Sequence, residues 1–232
     1  MKDIYTTENS DYKKNNPTWH VEDSPWKAQQ ILKMVTNNRL NVKSIVEIGC
    51  GVGEILNQLH IQLPNSFTFF GYDISKDAYE ESKSRMNERL IFHNQDLLEQ
   101  DIKFDLLLMI DVFEHVDDYL GFIRKTKSKA DYFIFHIPLD LSISALFRNK
   151  LIDARKSVGH LHYYSKETAL ATLDYCNLEI LDYFYTNGAI SLGGKFRTKL
   201  LNLIRRISFF INQDMTVRIF GGYSLLVLAK NK

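Results

Sequence analysis

Three groups of residues in this 232-residue chain have types and spacings that can do chemistry. The first is Glu47-Ile48-Gly49-Cys50-Gly51-Val52-Gly53-Glu54, in which an acid and three alternating glycines follow the β-branched run Ser44-Ile45-Val46. Glycine adopts positive φ without penalty and lets backbone approach a ligand closely. Because Glu54 to Leu59 then resumes a helical period, the segment reads as strand, glycine turn and helix, and a nucleotide-type ligand is expected at the turn. The second group is a set of carboxylates that end further apolar runs: Asp73 after Phe67 to Tyr72, Asp96 shortly after Arg89 to His93, and Asp111 after Phe104 to Ile110. An acid at the end of the second strand, roughly 20 residues beyond the turn, can accept both hydroxyls of a ribose. The third group is His115, just past the fourth run, with His160 and His162 in Gly159-His160-Leu161-His162-Tyr163-Tyr164-Ser165. Imidazole suits proton removal from a hydroxyl near neutral pH. In an extended segment His160 and His162 point to the same side.

The glycine spacing separates two kinds of cofactor. A dinucleotide turn needs G-x-G-x-x-G so that a pyrophosphate can sit on the helix N-terminus. Here the position of the last glycine holds Glu54, whose charge opposes a pyrophosphate. The pattern E-x-G-C-G-x-G resembles instead the first motif of class I S-adenosylmethionine-dependent methyltransferases, and Asn94-Gln95-Asp96-Leu97 resembles their third. The resemblance covers roughly residues 44 to 140 with good motifs and the rest more weakly.

That resemblance implies an α/β fold: a Rossmann-like, seven-stranded, mostly parallel sheet in the order 3-2-1-4-5-7-6, with helices on both faces and an antiparallel last strand. It implies S-adenosylmethionine as cofactor, held by Glu47, Gly49, Gly51, Gly53, Asp73, Ile74, Asp96, Leu97 and Asp111. In this reading Glu47 helps place the amino-acid end, Asp73 takes the ribose, Asp96 receives the adenine amino group and Leu97 offers its backbone. The loop after the fourth strand is the wall between cofactor and acceptor, which puts His115 on the acceptor side. A G-H-x-x-x-x-S segment lies over the pocket in many small-molecule members, which makes His160 and His162 candidate bases or acceptor ligands. Asp111, Glu114 and His115 with a later histidine also resemble the set that some members use for a divalent ion. Since E-H at this point is common in members that need no metal, no metal ligand is expected.

Strands and helices alternate in support: strand 44–49, helix 52–62, strand 67–72, helix 75–87, strands 89–93 and 104–110, helix 117–127 and strand 131–137. Such alternation argues for a parallel sheet with helices on both faces. Residues 1–43 read as an N-terminal cap segment, with Ser24-Pro25 starting a helix. Residues 44–232 read as a single domain with additions at 138–165 and 190–222 over the acceptor pocket. The additions include a helix over 141–155 and a helix start at Ser165; strands 178–185 and 223–229 close the chain. Within 195–211, Phe196, Leu200, Leu203, Ile204, Ile207 and Ile211 form one helical stripe, with Lys195, Arg197, Lys199, Arg205 and Arg206 as its basic complement. Two readings stay open there: a helix packed over the pocket, or peripheral contact with anionic lipid.

Net charge is +1, so no nucleic-acid partner is expected. The two cysteines, Cys50 and Cys176, indicate no disulfide framework, and the polar start lacks a signal-peptide core. A soluble, cytoplasmic protein in a reducing compartment is therefore expected, with its oligomeric state open. The expected activity is methylation of a small-molecule or glycan-type acceptor, preferably at oxygen. The alternatives are a lipid- or quinone-precursor methyltransferase at a membrane surface and a non-catalytic S-adenosylmethionine-binding protein.

Overall fold

Four apolar runs, Ser44–Ile48 (β1), Thr68–Tyr72 (β2), Leu90–His93 (β3) and Phe104–Ile110 (β4), pair in parallel at the centre of one sheet. The computed structural model of the chain describes residues 18, 19, 21–187 and 196–232, without the side chains of 196–201. Ala130–Pro138 (β5) extends the sheet in parallel, and Leu178–Thr186 (β6) and Ser224–Asn231 (β7) close it antiparallel. The resulting order, β3-β2-β1-β4-β5-β7-β6, is the one expected from the family resemblance.

Among the described residues the helices are α1 (Ser24–Asn37), α2 (Glu54–Gln62), α3 (Lys76–Ser82), α4 (Tyr119–Thr126), α5 (Ile143–Phe147), α6 (Lys150–Ser157), α7 (Lys166–Tyr175), α8 (Phe196–Ile211) and α9 (Gln213–Phe220). Successive strand residues face opposite sides of the sheet. Val46, Ile48, Leu107 and Met109 therefore enter one buried cluster, together with Ile123 of α4 and Ala169 and Leu173 of α7. Ile45, Leu106 and Leu108 enter the other, under Ala28, Ile31 and Met34 of α1 and Leu56 and Leu59 of α2. With both faces covered, the central strands have no need of polar residues, which explains their unbroken apolar runs.

The chain order reverses between β1 and β4, and the carboxyl ends of strands at such a switch point diverge to leave a crevice. The ladder continues past the strand ends there. Gly49 N–H donates to Tyr72 O (2.8 Å), Asp73 N–H to His93 O (3.1 Å) and Asp111 N–H to His136 O (3.0 Å). Gly49, Asp73 and Asp111 are thus fixed at one edge by backbone bonds.

Several boundaries differ from the sequence expectation for local reasons. The first helix after β1 begins at Glu54 instead of residue 52, because its N-cap Gly53 is left-handed (φ 77°). The helix expected over 75–87 stops at Ser82 and passes into a single 3-10 turn, Lys83–Arg85. The helix expected over 141–155 is two helices, broken at Asn149, which takes φ 52°, a conformation asparagine tolerates better than most residues. After α8 a second helix, α9, starts where Asn212 Oδ1 accepts Met215 N–H at 3.0 Å. Lys195 and the side chains of Phe196, Arg197, Lys199 and Leu200 lie outside the described residues. Of the remaining basic complement Arg206 is exposed, but Arg205 is buried.

Candidate active site

A cavity of about 620 Å³ opens at the carboxyl ends of β1, β2 and β4, with Glu47, Gly49, Gly51, Asp73, Ile74, Asp96, Leu97, Asp111, His115 and His160 among its walls. The glycine turn is held shut from below and open above. A Cβ on Gly53 stands 2.2 Å from the ring of Phe92, itself 3 % exposed, whereas a Cβ on Gly51 meets nothing within 4 Å. Gly53 therefore packs the turn against β3 and does not line the cavity, while Gly51 presents backbone to it.

Asp73 fastens this turn. Its Oδ2 accepts Gly51 N–H at 2.7 Å and its Oδ1 accepts Ser75 N–H at 2.8 Å. Burial raises its pKa and these two bonds oppose the rise. Each carboxylate oxygen keeps a lone pair for a ligand hydroxyl, so the residue can position the turn and bind at once. Asp96 has a similar double duty: its Oδ1 accepts Leu98 N–H at 3.0 Å and caps the turn Leu97–Glu99 at the cavity wall.

Glu47 lies at the buried end of the crevice, 2 % exposed, and its Oε2 has no hydrogen-bond partner among the described residues. Burial pushes its carboxyl well above the usual range; Lys27 opposes, and Asp73 and Asp111 reinforce the rise. An orphaned acid beside a glycine turn suits a ligand that brings an ammonium group. Asp111, by contrast, is satisfied on both oxygens. Lys27 Nζ of α1 lies 2.8 Å from Oδ2, and His136 Nδ1 of β5 lies 2.6 Å from Oδ1. Burial disfavours its charge, but His136 and Lys27 outweigh that and hold the carboxyl well below the ordinary range. His136 Nε2 continues the chain to Thr186 Oγ1 at 2.9 Å. Lys27 and His136 carried no motif in the sequence: one is a helix lysine, the other a histidine inside an apolar strand.

The histidines divide. His160 Nδ1 is 2.5 Å from Asp140 Oδ2, and its ring stands edge-on to His115, with centroids 4.9 Å apart. Burial and the neighbouring His160 lower the His115 pKa to about 4. His162 does not line the cavity; its Nε2 is 2.9 Å from Val116 O and its ring packs on Tyr119. The two histidines therefore do not face the same way. Their segment is docked by Leu161 N–H and His162 N–H donating to Glu114 O, after Gly159 turns the chain with φ 86°. Glu114 itself is 1 % exposed, both its carboxyl oxygens lack a hydrogen-bond partner among the described residues, and burial pushes it well above the usual range. Glu114, His115 and His160 each bring one ligand atom within 4.8 Å of the others, a grouping that could hold a cation. Asp111, which the resemblance grouped with them, is committed to Lys27 and His136.

Of the two additions, residues 138–165 give Pro138, Val158 and His160 to the cavity. Among the described residues, α8 and α9 give it nothing and border a second cavity instead.

The fold is shared widely. The structure of a magnesium protoporphyrin IX methyltransferase from Synechocystis PCC 6803 with bound S-adenosylhomocysteine superposes with a TM-score of 0.62 at 14 % identity, covering 100 % of this chain and 92 % of that one. The plantazolicin methyltransferase BpumL, also solved with S-adenosylhomocysteine, gives 0.64 at 15 % identity, covering 100 % and 93 %. A putative sarcosine dimethylglycine methyltransferase from Galdieria sulphuraria gives 0.60 at 14 % identity, covering 90 % and 84 %. These likenesses concern the fold. No curated protein matches the chain by sequence. A family model described as "Methyltransferase domain" matches residues 20–182, which take in every wall of the crevice named above. The chain belongs to that methyltransferase family, and S-adenosylmethionine is its cofactor.

Proposed function

We propose that the protein transfers a methyl group to the oxygen of a small-molecule or glycan-type acceptor, with His160 as general base. The observation that carries this reading is that His160, paired with Asp140, lines the same cavity as the glycine turn. S-adenosylmethionine supplies a methyl group already activated on a sulfonium, so most of the rate can come from positioning. A hydroxyl acceptor must still lose a proton. Asp140 Oδ2 accepts a hydrogen bond from Nδ1–H of His160 and leaves Nε2 as the basic nitrogen, the arrangement by which a carboxylate orients a catalytic imidazole. His115 stays neutral beside it and shapes the wall. Glu47, Gly49, Gly51, Asp73, Ile74, Asp96, Leu97 and Asp111 bind the cofactor, and Gly53 holds their turn in place. Residues 44–232 form the catalytic domain and α1 closes the cofactor end through Lys27. Transfer from methyl-13C-labelled cofactor to an acceptor pool is expected to yield methoxy carbon resonances; resonances only of N-methyl or C-methyl carbon would refute the oxygen assignment.

Glu47 makes a further expectation. Its folded pKa lies above its unfolded value of about 4.3. Its contribution to stability is therefore present below that value and lost as pH rises through the folded pKa. A ligand ammonium beside it lowers that pKa, so cofactor binding should release a proton and tighten as pH rises. Calorimetry in two buffers of different ionisation enthalpy measures the release, which Glu47→Gln should abolish; unchanged release in the variant would place the ammonium elsewhere.

A second reading, action on a lipid precursor at a membrane surface, is favoured by the apolar side chains around α5 and α8. Phe147 is 88 % and Phe210 94 % exposed, with Leu146, Leu203, Ile207 and Ile211 also exposed. Among the described residues no helix is long and apolar enough to cross a membrane. Sedimentation with anionic liposomes at low salt, lost at high salt, is the expected signature of surface binding. Absence of sedimentation at low salt would leave a freely diffusing acceptor.

A further inference from the structure

A second cavity, of about 270 Å³, adjoins the first, and Pro138 and Ser224 are walls of both. Arg205 of α8 lines it while only 9 % exposed. The guanidinium donates from Nη1 to Asn202 Oδ1 (3.2 Å) and from Nη2 to Phe220 O (3.0 Å), both neutral acceptors. Its buried Nε has no hydrogen-bond partner among the described residues. Burial lowers its pKa, the Tyr223 phenol opposes and Arg148 adds to the fall; among the described residues no acid contributes. Arg148, whose Nε donates to Ser144 O, lines the same cavity. The other charged walls are already engaged, Lys150 by Asp153 and Asp140 by His160. Gly222 (φ 82°) comes next to the guanidinium, where even a Cβ would stand 3.5 Å from it.

A buried cation facing only neutral partners is costly unless something supplies the missing anion. The planar donor fork of arginine matches the oxygens of carboxylate and phosphate. We propose that this cavity is a subsite for an anionic oxygen group, phosphate or carboxylate, carried by the methyl acceptor, with Arg205 as its main ligand and Arg148 as the second. The inference rests on the proposed function, because Asp140 stands between the subsite and His160: an acceptor anchored at Arg205 extends past the shared wall toward the base.

The test titrates inorganic phosphate and acetate into the wild type, Arg205→Gln and Arg148→Ala, and titrates each sample separately with S-adenosylhomocysteine. The wild type is expected to bind at least one anion, about tenfold more tightly than Arg205→Gln. Arg148→Ala, at an exposed position, should weaken binding by a smaller factor and serves if the Arg205 variant does not fold. Anion binding that is equal in the wild type and a folded variant of each kind, or absent in wild type that binds S-adenosylhomocysteine, would overturn the subsite and leave the methyltransferase reading standing. Failure to bind S-adenosylhomocysteine would count against that reading alone. Vesicles of phosphatidylglycerol and phosphatidylcholine separate the sources. Arg205-dependent binding to the anionic vesicles assigns the handle to a lipid headgroup, and anion binding without vesicle binding assigns it to a soluble acceptor.

Discussion

Replacing His160 by alanine is expected to lower the rate of methyl transfer to a hydroxyl acceptor by about 10²–10⁴-fold, the usual worth of a positioned general base. Affinity for S-adenosylhomocysteine should be nearly unchanged, because the glycine turn, Asp73 and Asp96 stand on other elements. Asp140→Asn should cost much of the same factor, since an amide can donate to Nδ1 and favour the wrong tautomer. His115→Ala should cost less: with its pKa lowered to about 4, His115 is a weak base. His162→Ala should leave the rate intact, as His162, bonded to Val116 O, does not line the cavity. A cation held by Glu114, His115 and His160 has a different signature. Activity would fall with chelator and return with magnesium or manganese, and Glu114→Ala would damage as much as His160→Ala. Rates measured across the variants with and without chelator decide between the two, and full activity of His160→Ala on a genuine acceptor would reduce His160 to part of the wall.

The largest loss of stability is expected at Gly53→Ala. The residue has φ 77° and its Cβ would stand 2.2 Å from the Phe92 ring, which is buried. The left-handed conformation costs roughly 1–2 kcal/mol for a non-glycine residue. Forcing extra volume into a packed site costs roughly 1–3 kcal/mol more. A total of about 2–5 kcal/mol lowers the Tm by about 2–4 °C per kcal/mol in a chain of this size. Gly51→Ala shares the unfavourable φ (54°) but meets no atom within 4 Å, so its thermal cost should be smaller and its cofactor affinity the more impaired. Thermal melts of both variants without ligand, followed by S-adenosylhomocysteine titration, check the contrast. Equal melting temperatures would show that Phe92 yields.

What could be read in the sequence was what is contiguous. Gly49, Gly51 and Gly53 announce themselves because they follow the apolar strand β1, as Asp73 follows β2 and Asp96 follows β3, and parallel pairing then brings the strand ends to one edge. Partners that meet through pairing or helix packing left no such trace. His136 reaches Asp111 because β5 aligns it with Ile110, and Lys27 reaches the same carboxylate from α1. Asp140 reads as an ordinary residue after a strand until His160 folds back onto it. Alternation predicted a common direction for His160 and His162, but the docking of 161 and 162 on Glu114 O overrode it. In the sequence Arg205 is one of the basic complement beside the apolar stripe of 195–211. It is buried because its guanidinium reaches the carbonyl of Phe220 at the end of α9, a helix absent from the sequence reading.

Calorimetric titration with S-adenosylmethionine, S-adenosylhomocysteine and NAD measures most directly which nucleotide the crevice accepts. Both adenosyl ligands should bind the wild type, and Asp73→Ala should weaken them by about 1–3 kcal/mol through lost hydrogen bonds and the groups left unpaired. NAD should give no heat of binding, since Glu54 opposes a pyrophosphate at the helix start. Binding of NAD with no response to either adenosyl ligand would contradict the account at its centre.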